Sequence, residues 1–379
     1  MLRKIGVIIV LIFLLLGCGE TEEKKHISFH PGALWPDTEG NHINAHGGGF
    51  LIYDDTYYWF GEHKGINSRA QVGVRVYASK DLYNWENKGV ALSVVDDENS
   101  KLQRGCILER PKVIFNKKTN KFVMWFHHEL KDQGYSNALT GVAIADKVTG
   151  PYEYLDSFRI HAGVLPLNFS EDDFEKAELI TDENTEERKE KVISGAYLKR
   201  DFEVGQMSRD MTLFVDEDET AYHITASEEN RTLLISKLSD DYTSVTDEYI
   251  RVLPGGRNEA PAIFKKNGKY FMFSSGLTGW KPNPGKLAVS DDMMGHWTSL
   301  GNPCVGTEEE MNTTFWSQST YVIPVLGKED AFIFAADRWN PKNHIDGRYV
   351  WLPVQFKNDI PYIEWFDSWN LSFFNHDKK

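Results

Sequence analysis

Along most of the chain, apolar and polar residues alternate in short runs separated by turn-forming clusters, and hardly any stretch shows a helical period. The segments FLIYDDTYYWFGE, PKVIFNKKTNKFVMWFHHE, MTLFVDEDETAYHITAS and PAIFKKNGKYFMFSS share one cadence: an apolar strand, a turn rich in Asp, Asn, Lys or Gly, and a second, aromatic strand. A looser version, YVIPVLGKEDAFIFAA, follows nearer the C-terminus. Each hairpin is preceded by a polar opening: Asn44-Ala45-His46-Gly47-Gly48, Glu109-Arg110-Pro111, Ser208-Arg209-Asp210, Asn258-Glu259-Ala260-Pro261 and Ser317-Gln318-Ser319-Thr320. Repetition of this unit predicts an all-β fold, a five-bladed β-propeller, whose innermost strands bring their polar heads to one axis. Carboxylates far apart in the sequence would then converge.

On this reading the blades occupy about 44–93, 109–158, 208–253, 258–303 and 315 to the end. Their second halves rhyme, since ASKDLYNW, ADKVTGPY and SDDMMGHW each place a turn before an aromatic residue. Counted from Asn44 through Glu109, Asp210 and Glu259 to Gln318, the openings are 65, 101, 49 and 59 residues apart. The long interval holds an acidic stretch at about 159–207, expected to be a solvated surface insertion with one short helix. A sharper alternative is a lid beside the central pocket. The late segments WLPVQF, PYIEWF and SWNLSFF are expected to seal the ring against residues 28–35, which removes exposed sheet edges.

The N-terminus departs from this pattern. A short basic start is followed by an almost wholly apolar run over residues 6–16 and then Leu15-Leu16-Gly17-Cys18. The run is too short for a mature membrane span and reads as a secretory signal over 1–17. Cys18 directly after it resembles a bacterial lipobox, which implies lipidation at its thiol, a polar tether over 18–27, and a folded domain over 28–379. The expected location is the bacterial cell envelope, periplasmic or surface-facing, with membrane contact through the lipid only. Cys106 and Cys304 leave one disulfide open as an alternative, and their spacing offers no zinc site.

A net charge of -14, from 42 basic and 56 acidic residues, argues against nucleic acid and other polyanions as partners. Of the 11 Trp, 16 Tyr and 22 Phe, most are expected to pack the hairpin cores, and the surplus of Trp suits sugar recognition, because an aromatic face stacks on the apolar face of a pyranose. Glycoside hydrolysis needs an acid that protonates the departing oxygen and, in inverting enzymes, a second group that directs water to the opposite face. Glu259, followed by Ala-Pro-Ala, is the strongest acid candidate. Asp210 would either pair with its neighbour Arg209 or sit near Glu259 and raise that acid's pKa. Glu109 would pair with Arg110 or accept hydrogen bonds from sugar hydroxyls.

At these residues the chain resembles glycoside hydrolase family 43, and particularly its exo-β-1,3-galactanase branch. The resemblance rests on AHGGGFLIYDDTYYWFGE, ERPKVIFN, SRDMTLFVDED, EAPAIFKKNGKYFMFSSGLTGWKPN, FWSQSTYV, DRW and GRYVWLP, which together span most of residues 40–353. It implies that Glu259 is the general acid, that Asp210 tunes it, and that Gln318 orients the attacking water, through an imidic tautomer in one version of that chemistry. It also implies that Glu109 and Glu62 bind the terminal galactose, with Thr278 and Trp280 near the pocket wall. The usual Asp base of the first blade has no counterpart, since Asn44, Ala45 and His46 occupy that region; His46 would either replace that base or, in its Gly-rich surroundings, hold the propeller channel together. The implied activity is inverting release of galactose from β-1,3-galactan by a monomer without cofactor or catalytic metal. The alternatives are another exo-glycosidase of the family, acting on arabinofuranosides or xylosides, and a non-catalytic glycan-binding lipoprotein.

Overall fold

The structure, a computed structural model, describes residues 25–180 and 185–375. The signal segment and Cys18 lie outside the described residues. Four four-stranded antiparallel sheets follow one another around an axis, each a meander that begins at the centre and ends at the rim. The first blade comprises His46–Tyr53, Thr56–Glu62, Gly73–Ser79 and Glu86–Ser93. The second comprises Ile107–Asn116, Lys121–Glu129, Leu139–Ala145 and Glu153–Phe158. Met211–Val215, Ala221–Ser227, Thr232–Leu238 and Val245–Val252 build the third, and Glu259–Lys266, Lys269–Ser275, Lys286–Ser290 and Thr298–Gly301 the fourth.

The remaining strands correct the expectation of five blades. Gln318–Pro324, Phe332–Arg338 and Arg348–Pro353 form a three-stranded sheet that stops at Pro353. Cys304–Val305, Gln355–Lys357 and Ile360–Glu364 form a further one, with Cys304–Val305 parallel to Ile360–Glu364. The arrangement therefore has six blades, the sixth small and assembled from two distant stretches of chain. The repeat cadence missed it because these strands are short and lack a polar opening. The sixth sheet adds no strand beside the axis: His46–Tyr53 packs on Ile107–Asn116 and on Gln318–Pro324, and Met211–Val215 and Glu259–Lys266 complete that circle.

The heads of the inner strands are turned by local backbone devices. Register breaks fall between His46 and Gly49, Glu109 and Lys112, Glu259 and Ala262, and Ser319 and Tyr321. Three of these bulges contain a left-handed residue, Gly47, Arg110 or Ala260, with φ of 57°, 57° and 53°. A bulge inserts one residue on one strand and re-aims what precedes it, so the head residues leave the pleat while the strand below keeps its pairing. In the fifth blade the turn lies just ahead of the strand, where Thr314, Phe315 and Trp316 are all left-handed.

Buried aromatic clusters between blades hold the ring. Trp59, Trp85, Trp351 and Phe50 interlock, with Trp59 and Trp351 centroids 5.0 Å apart. The seam closes as expected: Phe29 and Trp369 exchange two backbone hydrogen bonds of 2.7 and 3.1 Å, and the Trp369 indole donates to the Trp351 carbonyl. The insertion is more structured than a solvated loop, with helices Glu171–Lys176, Thr185–Ile193 and Ala196–Arg200 and buried Val192, Ala196, Tyr197 and Leu198. Cys106 and Cys304 are free buried thiols in separate core clusters, so the disulfide alternative is not realised. Burial pushes both thiols up to about 12, which leaves them unreactive.

Truncating Trp369 removes the wedge that joins both ends of the chain, and Trp369→Ala is expected to cost about 3–5 kcal/mol. Chemical denaturation checks this; an unchanged midpoint would place the seam's stability elsewhere.

Candidate active site

The inner-strand heads surround a cavity of about 330 Å³. Glu259, Asp210, Gln318, Glu109, Glu62 and Trp280 all line it, so residues far apart in the sequence are brought into one cavity. Thr278 lies beside the wall, between the lining residues Leu277 and Gly279, but does not line the cavity itself: its hydroxyl donates to the Lys281 carbonyl at 2.6 Å and accepts from Asn283 at 2.7 Å, which ties it into its own loop. His46 is fully buried, stacked on Tyr349 at 5.3 Å with Nδ1 3.7 Å from Asp337 Oδ1. It packs the axis below the cavity and does not reach its surface, so it cannot serve as the base.

Glu259 begins its strand with its Oε1 accepting 2.7 Å from Asn230 Nδ2. Burial is the main influence on its carboxyl and the negative charge of Asp210 the next; against Arg110, Asn230 and Arg209 they raise it to about 8. An acid with that pKa holds its proton at neutral pH and can deliver it. Asp210 pairs with Arg110 at 3.1 Å, not with its neighbour Arg209, which binds Glu229 at 3.2 Å. Adjacent residues in extended chain point to opposite sides, so sequence neighbours make poor partners here.

Arg110, 4% exposed, is the centre of the arrangement. Its guanidinium contacts Asp210, donates 2.6 Å to Gln318 Oε1 and 3.1 Å to the Ser319 carbonyl, and lies 5.4 Å from the Trp339 ring centroid. Its backbone N–H donates 2.9 Å to Glu62. Gln318 is fixed by three groups. Its Oε1 accepts from Arg110 and, at 2.9 Å, from Trp339 Nε1, while its Nε2 donates 2.9 Å to Ser275 Oγ. Arginine and indole can only donate, so the amide orientation is decided. Both acceptor sites of Oε1 are filled, which leaves no room for the hydroxyl of an imidic tautomer. Toward the cavity the amide keeps one N–H, suited to hold a water oxygen.

Opposite lies a buried charge cluster. Lys64 Nζ contacts Glu62 Oε2 and lies 3.3 Å from Glu109 Oε1, which also accepts 2.8 Å from Tyr135. Asn44, in the stretch that lacks a base, instead clamps the Lys64 backbone with hydrogen bonds of 2.9 and 2.8 Å. Burial opposes the charge on Glu109, but Lys64, His127 and Tyr135 hold its carboxyl well below the usual range. Burial and the charge of Glu109 push Glu62 up against the pull of Lys64. His127 is sandwiched between Glu109 and Glu129; burial lowers it, but these two carboxylates raise it to about 9. Glu109 is therefore a fixed acceptor, ready for sugar hydroxyls. Ligand atoms of Glu109, His127 and Asp210 also lie within 4.8 Å of one another, a spacing that suits a metal. Each carboxylate of that trio already faces a protein cation, Lys64 or Arg110, and the imidazole is protonated at neutral pH, so the donor set fits a metal poorly.

Sequence reasoning missed Arg110, Lys64, His127, Tyr135, Asn230 and Trp339 as site members. Signals existed for some: Arg110 follows a head carboxylate, Lys64 ends the first hairpin, and Trp339 closes the DRW stretch. Nothing in the sequence marks Asn230, which depends on a turn between the two middle strands of the third blade.

A protonated carboxyl faced by a carboxylate, an anchored amide, fixed hydroxyl acceptors and the indoles of Trp280 and Trp339 together define a glycoside hydrolase site. Residues 189–360 match the model of the glycosyl hydrolases family 43. Among solved structures, the GH43 β-1,3-galactosidase BT3683, in complex with galactodeoxynojirimycin, is 50% identical with a TM-score of 0.87, over 90% of this chain and all of that one. The GH43 β-1,3-galactosidase BT0265 is 38% identical, TM-score 0.77, over 92% of this chain and 64% of its own. The exo-β-1,3-galactanase Pc1,3Gal43A of Phanerochaete chrysosporium, with galactose, is 32% identical, TM-score 0.73, over 91% and 68%. No curated protein sequence matches. The chain belongs to glycoside hydrolase family 43.

Because Glu259 acts protonated, kcat/KM should fall as pH rises through about 8. Asp210→Asn removes the like charge and frees Arg110, and both changes lower the Glu259 pKa, so the alkaline limb should move to lower pH. A pH profile of kcat/KM checks this; a limb that stays put or moves upward would dissociate Asp210 from the acid.

Proposed function

We propose that the protein is an inverting exo-glycoside hydrolase that releases galactose from the non-reducing end of β-1,3-galactan. The carrying observation is the protonated Glu259 lying in one cavity with ionised Glu109 and the anchored Gln318. The names of the similar structures, β-1,3-galactosidase and exo-β-1,3-galactanase, support the sugar and linkage.

In this mechanism Glu109 and Glu62 receive hydroxyls of the terminal galactose, while Trp280 and Trp339 face its apolar side. Glu259 gives its proton to the glycosidic oxygen as that bond breaks. Asp210, held by Arg110, lies close enough to Glu259 to favour its protonated form beforehand. Gln318 orients the water that attacks the anomeric carbon from the opposite face; after attack the new hydroxyl, by then strongly acidic, releases its extra proton to solvent water, and Glu259 regains one from solvent before the next turnover. No step requires a cofactor. Retention of the complete acid apparatus disfavours a purely binding role.

Glu259→Gln should reduce turnover of β-1,3-galactobiose by about 10²–10⁴-fold, and less on aryl galactosides whose leaving groups need little protonation. Proton NMR of the wild-type reaction should show α-galactose as first product. Undiminished turnover by Glu259→Gln would remove it as the acid, and β-galactose as first product would exclude inversion.

The proposed location is the cell envelope, through lipid on Cys18. Cys18→Ala in the full chain should move activity from the membrane fraction to the soluble one; persistence in the membrane would reject this anchor.

A further inference from the structure

We infer that the 159–207 insertion is a brace, not a lid: it grips the turn that carries Asn230 and so positions the hydrogen-bond donor of Glu259. None of its described residues lines the cavity. The turn Glu228-Glu229-Asn230 joins the two middle strands of the third blade, and all three residues are left-handed, with φ of 51°, 56° and 58°. Such a conformation is unfavourable for non-glycine residues, whose Cβ crowds the following carbonyl, so the surroundings must impose it.

The insertion supplies those surroundings from two sides. Glu228, fully buried, is held by Arg251 through contacts of 2.6 and 2.8 Å and by Thr232 at 2.8 Å. The same guanidinium donates to the carbonyls of Val192 and Ile193, at the C-terminal end of the Thr185–Ile193 helix, and lies 5.1 Å from the Phe169 ring centroid. Asn168 brackets the Arg251 backbone with bonds of 2.9 and 2.8 Å. On the other side Arg200, at the end of the Ala196–Arg200 helix, pairs with Glu229 at 3.0 Å, and Glu229 in turn holds the cavity residue Arg209. The Thr185–Ile193 helix also packs on Gly255, where an added Cβ would lie 3.1 Å from Ile193 Cγ1. Gly255 sits in the loop that leads directly into Glu259. These contacts converge on the turn that carries Asn230 and on the loop that leads into Glu259, and they reach the cavity wall only through Arg209.

Arg200, Arg251 and Glu228 are thus positioning residues that act through Asn230 and Glu259. The inference rests on the assignment of Glu259 as the acid. A misplaced acid matters most when the leaving group needs a proton, whereas partial unfolding would reduce every substrate alike. The test compares Arg200→Gln and Arg251→Lys with the unsubstituted protein on β-1,3-galactobiose and on a dinitrophenyl β-galactoside, with thermal melts alongside. Expected is a loss of about tenfold or more in kcat on galactobiose, with a much smaller loss on the aryl substrate. Asn230→Ala should show the same loss on galactobiose. Equal losses on both substrates, or no loss, would overturn the brace. Glu259→Gln serves as the control: if it alone shows the leaving-group dependence, the brace fails and the acid stands; if it turns over galactobiose normally, the acid assignment fails and the brace with it.

Discussion

The site depends on the buried guanidinium of Arg110. A charge removed from water must be compensated in full, and here the compensating groups come from four directions: Asp210 of the third blade, Gln318 and the Ser319 carbonyl of the fifth, the Trp339 ring, and, at its backbone, Glu62 of the first. Each of these is also a functional group or the neighbour of one. The interactions that make the burial of Arg110 tolerable are therefore the ones that hold Asp210 in place and orient Gln318. Leaving either partner out would strand a charge at the axis.

A second balance sets the protonation pattern. The cavity holds four carboxylates, of which Glu109 and Asp210 have direct cationic partners, Glu62 shares Lys64, and Glu259 has only the amide of Asn230 within hydrogen-bonding distance. Distribution of cations, not residue type, decides which carboxyl keeps its proton. The same distribution explains how a site without a first-blade Asp remains organised, because Asn44 holds Lys64 and Lys64 contacts both Glu62 and Glu109.

What the sequence disclosed follows from this physics. Inner-strand heads are legible because each hairpin repeats a period and each head breaks it; Glu109, Asp210, Glu259 and Gln318 stand at such breaks. The sixth blade was illegible because Cys304–Val305 pairs with a strand some sixty residues later, and so brief a pairing leaves no periodic trace. Partner choice was illegible for a different reason. Asp210 beside Arg209, and Glu109 beside Arg110, look like local pairs, yet backbone geometry separates neighbours and the real partners arrive from other blades. The burial of His46 is likewise decided by Tyr349 and Asp337, some three hundred residues away.

The bulges beneath the head residues make chemistry and folding separable. Below Gly49, Lys112 and Ala262 the inner strands pair in ordinary register, whatever side chain stands above. The first blade illustrates this: it keeps its bulge and its pairing although no acid stands at its head. A propeller of this construction can lose, gain or exchange one reactive group by a single codon change without renegotiating its core, so a lineage can explore new substrates or a new way of handling water while every intermediate protein still folds.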